Sequence, residues 1–235
     1  MSTIGGPNVV DPGLVLELDA ANTKSYVSGS TNWFNLINTR TSGSLINGPT
    51  FNTGSGGNIV FDGTDDYVDC GNASTLSLSS QGTISAIVQT SRSYPGNTAS
   101  NSFRGIIGKV LSGGGGQQSY WLDWYGTNAT RILRLGIGDA AGSTTLEIGN
   151  FDFANKWNYV LGTWNGSTAQ IYVNGVIRGS VANTKVAQTL ANSLTVGRVF
   201  EYWEGNIAFT QVYNRFLSAD EALQNYNALK SRFGL

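Results

Sequence analysis

Apolar and polar residues alternate along several short stretches of the chain, which is the pattern of strands with one buried face. In residues 14–19, for example, Leu14, Leu16 and Leu18 share one face. The same reasoning predicts further strands over residues 59–62, 67–68, 83–89, 194–197 and 206–213. The pattern therefore predicts a chain built mainly from short strands.

The clearest part of this pattern lies between residues 157 and 177, where two Asn-Gly pairs separate apolar runs. Asn165-Gly166 follows a predicted strand over 157–164, and Asn174-Gly175 follows a second one over 168–173. Asn-Gly is the strongest short hairpin signal, because both residues tolerate a positive φ. The two pairs therefore predict an antiparallel meander.

One helix is predicted, close to the C-terminal end of the sequence. Ser218 is its expected N-cap, and Glu221 completes a capping box. Its apolar stripe consists of Leu223, Tyr226, Leu229 and Phe233. No change in composition and no charged linker divides the chain, so we expect one all-β domain with a short helix packed on its edge.

Composition narrows the classes of function. The 235 residues include 14 Lys and Arg, 15 Asp and Glu and no His, which gives a net charge of −1. This balance argues against nucleic acid or an acidic membrane as a partner, because both are bound through basic patches. No segment approaches the ~20 apolar residues of a membrane span. The first residues lack the features of a secretory signal peptide, so we expect synthesis in a reducing cytosol.

The absence of His also removes several kinds of chemistry. A Ser-His-Asp triad, a Cys-His dyad and a His-ligated zinc site are all excluded. Cys70 is the single cysteine and has no partner for an internal disulfide, so we expect a small, half-buried apolar side chain. The glycine run 113–116 is not followed by the Lys-Ser/Thr of a phosphate-binding loop.

Four motifs in order resemble the laminin-G-like, concanavalin A-like jelly-roll family. They are GLVLELDA at 13–20, FDGTDDYV at 61–68, WNYV at 157–160 leading into YVNG at 172–175, and the ending GNIA, VYNR and LS between 205 and 218. The resemblance implies two curved antiparallel sheets packed face to face as a jelly-roll sandwich. It assigns residues 13–235 to the jelly-roll domain. Residues 1–12 are then an N-terminal arm that either docks on a partner or frays.

The acidic residues of the second motif have two interpretations. In the first, residues 62–66 form a tight turn whose carboxylates accept backbone N–H groups. In the second, they contribute to a calcium site, because related jelly rolls often hold calcium at a sheet rim and the ion takes oxygen ligands. The residues expected to supply part of such a shell are Asp19, Asn22, Asp62, Asp65 and Asp66.

Aromatic residues pose a similar choice between packing and binding. On an alternating strand most rings face the core, but an exposed ring can stack on the apolar face of a sugar. The residues considered for carbohydrate binding are Tyr202, Trp203, Trp121 and Trp124. Tyr202 and Trp203 are the better candidates, because Glu201 and Glu204 flank them in a polar loop.

Three classes of function follow from the resemblance. Glycoside hydrolases of this fold class need two carboxylates flanking the scissile bond. Their Glu-x-Asp-x-x-Glu motif does not occur here, and only Glu201 and Glu204 are close together. A carbohydrate-binding lectin module is the second class, although such modules normally accompany a partner domain.

The third class is a structural protein of a virus particle, and we expect this one. Domains with this motif set are similar to those in structural proteins of tailed bacteriophages, where they decorate heads or form parts of fibres. The expected protein is therefore a non-enzymatic virion component whose partners are phage capsid or tail proteins. Its lectin-like jelly roll would serve for adhesion to host-surface glycans. No heptad specifies an oligomer, so homo-oligomerisation stays open.

Overall fold

The computed structural model describes residues 8–37, 42–93, 95, 102–110, 118–127 and 129–235. These residues form short strands, one α-helix and two 3₁₀ turns at Gly54–Gly56 and Ser74–Leu76. In chain order the strands and helix are β1 (Leu14–Asp19), β2 (Asn32–Phe34), β3 (Ser42–Ile46), β4 (Thr50–Asn52), β5 (Asn58–Asp62), β6 (Tyr67–Asp69), β7 (Gly82–Gln89), β8 (Ser102–Val110), β9 (Gln118–Gly126), β10 (Ile132–Asp139), β11 (Gly142–Gly149), β12 (Asn158–Trp164), β13 (Thr168–Val173), β14 (Val176–Ala182), β15 (Thr195–Val196), β16 (Glu204–Tyr213) and α1 (Ala219–Phe233).

The strands form two antiparallel sheets that pack face to face. Sheet A has the strand order β14-β13-β12-β7-β16-β5-β4, and β1 pairs with β16. Sheet B has the order β11-β10-β9-β8-β15-β6-β3-β2. This arrangement confirms the predicted all-β jelly-roll sandwich.

The main core fills the space between the two sheets. The alternation in β1 directs Leu16 and Leu18 into it, as the sequence predicts. Leu14, predicted on the same face, lies instead in a separate apolar cluster, because the register of β1 with β16 shifts between Leu14 and Leu16. Trp33, Trp124 and Trp164 are also completely buried there. Cys70 is buried in the same core, more deeply than predicted, and burial raises the pKa of its thiol.

Helix α1 forms a third layer on the outer face of sheet A. Ala222 and Phe233 pack against Tyr159 and Phe209 in a second apolar cluster. The predicted capping box is present, because the Ser218 hydroxyl accepts the Glu221 N–H and the Glu221 carboxylate accepts the Ser218 N–H. The helix ends at Phe233 and is capped by Gly234, whose φ of 66° lies in the left-handed region.

The buried residues of this helix are Ala222, Asn225 and Phe233, so the buried stripe differs from the predicted one. Leu223 is 43% exposed, whereas the polar residue Asn225 is fully buried. The Asn225 side chain accepts the Val10 N–H at 2.7 Å and donates to the Tyr213 hydroxyl at 3.0 Å. Apolar periodicity cannot reveal such a buried polar contact, which explains the error.

The described part of the predicted N-terminal arm packs against the domain. Val10 is buried, and its carbonyl accepts the Tyr213 hydroxyl at 2.9 Å. The carbonyl of Pro12 accepts a hydrogen bond from Nε of Arg215 at 2.7 Å. Residues 8–12 are therefore held by the domain, and residues 1–7 lie outside the described residues.

The predicted meander is present as β12, β13 and β14. At the second turn Asn174 and Gly175 have φ values of 51° and 76°, as the Asn-Gly signal predicts. The first turn is held differently, because Oδ1 of Asn165 accepts the N–H groups of Ser167 and Thr168, both at 2.9 Å. Among the described residues, no helix is long and apolar enough to cross a bilayer.

A candidate ligand site on the outer face of sheet B

The outer face of sheet B carries a pocket of about 490 Å³. Strand alternation creates it: Tyr120, Leu122 and Trp124 of β9 point into the main core, whereas Trp121 belongs to a separate cluster outside it. Arg134 of β10 also lines the pocket. The pocket therefore lies on the side of sheet B opposite the core.

Three aromatic side chains form the apolar wall of the pocket. They are Phe103 of β8, Trp121 of β9 and Phe200 from the loop before β16. The ring centroid of Phe200 lies 5.0 Å from that of Phe103 and 5.6 Å from that of Trp121, the latter edge-on. The polar part of the lining comes from Gln118, Arg134, Ser143, Thr145 and Glu201.

Trp121 is the central residue of this wall. Its side chain is only 3% exposed, and its indole lies over Gly136 of β10. A Cβ at position 136 would come within 2.0 Å of Cζ2 of Trp121, so glycine is needed for the ring to lie there. The Nε1–H of Trp121 is buried and has no hydrogen-bond acceptor among the described residues.

Arg134 and Asp123 form an ion pair beside Trp121. Nε of Arg134 donates to Oδ1 of Asp123 at 2.9 Å, and Nη2 donates to Oδ2 at 2.5 Å. The guanidinium also stacks 4.1 Å from the ring centroid of Tyr125 and 5.0 Å from that of Phe103. Burial raises the pKa of Asp123 to about 6, and the hydrogen bonds and charge of Arg134 partly oppose this shift.

The loop that carries Phe200 is fixed to β8 by two hydrogen bonds and a close backbone approach. The Gly105 N–H donates to the Glu201 carbonyl at 3.2 Å, and Oε2 of Glu201 accepts the Phe103 N–H at 3.1 Å. A Cβ at position 105 would lie 2.0 Å from the Val199 nitrogen, so the approach of the loop requires glycine. These two hydrogen bonds, one to the Glu201 carbonyl and one to its carboxylate, hold the backbone of the loop against β8.

The structure brings one of the four predicted aromatic residues, Trp121, to this pocket. Trp124 and Trp203 are completely buried in the main core. Nε1 of Trp124 donates to the Phe151 carbonyl at 3.1 Å. The prediction that these two rings stack on a sugar is wrong, because neither has an exposed face. Trp121 lines the pocket, but at 3% exposure too little of its ring is accessible for stacking in the free protein.

Tyr202, the fourth candidate, is half-buried and lies outside the pocket lining. Its ring centroid is 6.4 Å from that of Tyr67, and the Arg198 guanidinium lies 3.6 Å from the Tyr67 centroid. Sequence reasoning missed Phe103, Arg134 and Phe200 as site residues. Alternation along β9 and β10 was the available signal for Arg134, since it places position 134 away from the core-facing Leu133 and Leu135.

Three of the five predicted calcium ligands converge. Carboxylate oxygens of Asp62, Asp65 and Asp66 lie within 4.8 Å of one another. Oδ1 of Asp62 accepts the N–H groups of Thr64 at 2.8 Å and Asp65 at 3.3 Å, and Oδ2 of Asp66 accepts the Asp62 N–H at 3.1 Å. The backbone donors lower the pKa of Asp62, whereas burial raises that of Asp66. These hydrogen bonds fit the turn interpretation. Calcium binding by the three carboxylates stays a prediction.

The other two predicted ligands have local partners. Oδ1 of Asp19 accepts Nη1 of Arg232 at 2.7 Å and the Ala21 N–H at 2.9 Å. Oδ1 of Asn22 accepts the Lys24 N–H at 3.0 Å. Asp19 does not belong to the acidic cluster at 62–66, so the predicted set of five does not form a single shell.

Comparison with known families identifies the family to which this fold belongs. Residues 62–222 match the family model of the concanavalin A-like lectin/glucanases superfamily. No curated protein sequence matches the chain.

Solved structures share the fold at low sequence identity. Trypanosoma rangeli sialidase has a TM-score of 0.65 at 18% identity, over 93% of this chain and 33% of the sialidase. The binding domain of botulinum neurotoxin serotype D has a TM-score of 0.65 at 16% identity, over 91% of this chain and 50% of that domain. The chain thus spans about a third and a half of these two proteins.

A third similar structure corresponds to the chain over nearly its whole length. It is domain 4 of AbnA, an extracellular arabinanase from Geobacillus stearothermophilus, solved in complex with arabinotriose. Its TM-score is 0.59 at 17% identity, over 91% of this chain and 98% of that domain. At this identity the likeness shows a common fold.

Proposed function

Because the chain belongs to the concanavalin A-like lectin/glucanases superfamily, we propose that it is a carbohydrate-binding protein whose ligand occupies the pocket on the outer face of sheet B. The observation that carries this proposal is the Nε1–H of Trp121, which is buried at the pocket without an acceptor. A buried donor left unpaired costs about 1–3 kcal/mol. A sugar hydroxyl that accepts this N–H would remove that cost.

The rest of the lining suits an oligosaccharide. Ligand sites of this kind combine apolar surface with a few polar groups that fix orientation. Here Phe103 and Phe200 supply apolar surface, while Gln118, Ser143 and Thr145 supply neutral hydrogen-bonding groups. Since Nε1 is covered in the free protein, we propose that binding shifts the side chain of Phe200, whose ring contacts Trp121 edge-on, while the backbone of its loop stays hydrogen-bonded to β8.

The similar arabinanase domain supports an oligosaccharide as the ligand, since that domain was solved with arabinotriose. We propose binding rather than hydrolysis. Glu201, the carboxylate in the pocket lining, accepts the Phe103 N–H, and Asp123 beside the pocket is paired with Arg134. Glu204, the other carboxylate considered from sequence, forms an ion pair with Arg92 at 3.2 Å.

The test is a glycan array followed by calorimetric titration of the best oligosaccharide against wild type and two variants. Ser143→Trp places a bulky ring in the pocket and should abolish binding. Ser180→Trp is the matched control, because Ser180 is also exposed on an edge strand but belongs to β14 of sheet A. Equal binding by both variants would contradict the proposed site. Release of shorter sugars from the ligand would contradict a purely binding role.

The place of this protein on a tailed-phage particle stays a prediction from the sequence resemblance. Mass spectrometry and electron microscopy of purified particles test it. We expect the chain at stoichiometric copy number on the head or the tail. Its recovery only from the soluble fraction would favour the free-standing lectin.

A further inference from the structure

We propose that the pocket selects neutral oligosaccharides over acidic ones, and that Asp123 is the residue that sets this preference by neutralising Arg134. The inference rests on the proposed function and names its ligand class. The charged groups at the pocket support this preference.

Arg134 is the single cation in the described pocket lining. A sugar carboxylate is normally held by a guanidinium that presents two parallel N–H groups to it. In Arg134, Nε and Nη2 already donate to the two oxygens of Asp123, and the guanidinium is stacked on Tyr125 and Phe103. Nη1 remains for a neutral acceptor such as a hydroxyl, but the positive charge is balanced by Asp123.

Two further carboxylates make the site unfavourable for anions. Glu201 lines the pocket, and its Oε2 accepts the uncharged Phe103 N–H, which leaves the negative charge in place. Glu147 lies directly opposite Arg134 in the pairing of β10 with β11, so the two side chains share one face. One guanidinium therefore lies among three carboxylates.

Two neighbouring arginines, Arg104 and Arg92, have hydrogen-bond or ion-pair partners outside the pocket lining. Arg104 donates to the carbonyl oxygens of Pro95 and Tyr202, and Arg92 pairs with Glu204. The segments 96–101 and 111–117, which precede and follow β8 in sequence, contain no Lys or Arg. They therefore bring no additional cation to the site.

The expected size of the preference follows from Coulomb repulsion. A ligand carboxylate within a few ångströms of an uncompensated carboxylate is disfavoured enough to weaken binding about tenfold or more at low salt. Salt screens this repulsion, so the difference between neutral and acidic ligands should narrow as ionic strength rises.

The experiment uses the full chain and an array of neutral oligosaccharides, each beside a counterpart that carries a uronic acid or a sialic acid. Trigalacturonate and its trimethyl ester form one such matched pair, with the same stereochemistry and different charge. We expect neutral members to bind about tenfold more tightly than acidic ones in low salt, with a smaller ratio in high salt. Asp123→Asn should also reduce the ratio, because it leaves the Arg134 charge unbalanced.

The outcomes separate this inference from the proposed function. Binding of acidic members as tightly as neutral ones in low salt would overturn the selectivity while leaving carbohydrate binding intact. Failure of every glycan to bind would overturn the proposed function and the selectivity with it. If Asp123→Asn does not fold, as judged by its melting curve, the salt series on the wild-type protein decides the question.

Discussion

The indole ring of Trp121 lies flat on Gly136, in space that a Cβ at position 136 would fill. The nearest ring atom, Cζ2, would be 2.0 Å from that Cβ. This contact brings the tryptophan close to the sheet, where it lines the pocket together with Phe103 and Phe200. The two residues therefore determine the shape of the site together.

Substitution of this glycine should disturb both stability and binding. We expect Gly136→Ala to lower the free energy of unfolding by about 1–3 kcal/mol, as overpacking does, and to weaken oligosaccharide binding by displacing Trp121. Gly149→Ala on β11 is the matched control, because a Cβ there meets no atom within 4 Å. Chemical denaturation and calorimetry measure both effects. An unchanged affinity in a folded Gly136→Ala protein would show that the position of Trp121 does not matter for binding.

Because the Nε1–H of Trp121 is unpaired in the free protein, loss of this group should weaken oligosaccharide binding without a hydrogen-bond cost to stability. Trp121→Phe removes a donor that has no acceptor in the free protein, so stability should fall only by the lost packing of the smaller ring. Binding should weaken by about 1 kcal/mol or more, the value of a typical hydrogen bond. The measurement is a melting curve and a titration of the same sample.

Trp124→Phe is the matched substitution on the opposite face of β9. It removes the bond from Nε1 to the Phe151 carbonyl and leaves that carbonyl without this donor, so stability should fall while affinity is kept. The account would be wrong if Trp121→Phe and Trp124→Phe changed affinity to the same extent.

Loss of Arg134 should be costly because it leaves Asp123 buried without its partner. We expect Arg134→Ala to destabilise the protein by about 3–5 kcal/mol, the usual effect of breaking a buried ion pair. Arg131→Ala removes an exposed pair with Asp152 (Nη1 to Oδ2, 3.7 Å) and should cost at most about 1 kcal/mol. Equal values in urea unfolding would mean that the Arg134 pair is also effectively solvated.

The Asp123 carboxyl gives stability a specific pH dependence. Its pKa is raised from 3.8 to about 6 in the folded protein, so the folded state binds the proton more tightly than the unfolded state. The contribution of Asp123 to stability is therefore greatest at low pH, falls between about pH 4 and 6, and is constant above that range. The free-energy difference between wild type and Asp123→Asn should follow this curve. Carbon-13 NMR of the carboxyl gives its pKa directly, and a value below 4 would contradict the shift.

Calcium gives a separate test of the turn at residues 62–66. If backbone N–H groups alone satisfy Asp62 and Asp66, chelation should leave the melting temperature unchanged. If the cluster holds calcium, as the second interpretation predicts, the melting temperature should rise with calcium concentration, because a ligand that binds only the folded state stabilises it. Differential scanning fluorimetry with chelator and with added calcium distinguishes the two interpretations.

Local signals made much of the fold predictable. The alternation of Leu16 and Leu18 identifies β1, the Asn174-Gly175 pair identifies a hairpin, and Ser218 with Glu221 identifies the helix start. Each signal depends on residues within a few positions of one another. All three elements are present in the structure, so tertiary contacts do not override these local preferences.

The missed strands have weaker local signals. Strand β10 presents Gly136 and Gly138 on the face opposite its core residues, so its alternation of apolar with polar side chains is incomplete. The turn between β10 and β11 has no Asn-Gly pair. Pairing with β9, which is set by non-local contacts, defines this region instead.

The pocket was the least predictable feature, because residues distant in sequence form it. Phe103, Thr145 and Phe200 meet only through the pairing of four strands and a loop. One constraint was nevertheless present in the sequence. Trp121 and Trp124 are three positions apart on one strand, so they face opposite sides and cannot share a surface.

The most direct test of carbohydrate binding at this pocket is an NMR titration that follows the indole Nε1–H signals of the six tryptophans. With a neutral oligosaccharide taken from the array, we predict a large shift of the Trp121 signal as its N–H gains an acceptor. The Trp124 and Trp203 signals, from rings in the main core, should stay in place. Binding that leaves the Trp121 signal unmoved would contradict the proposed site.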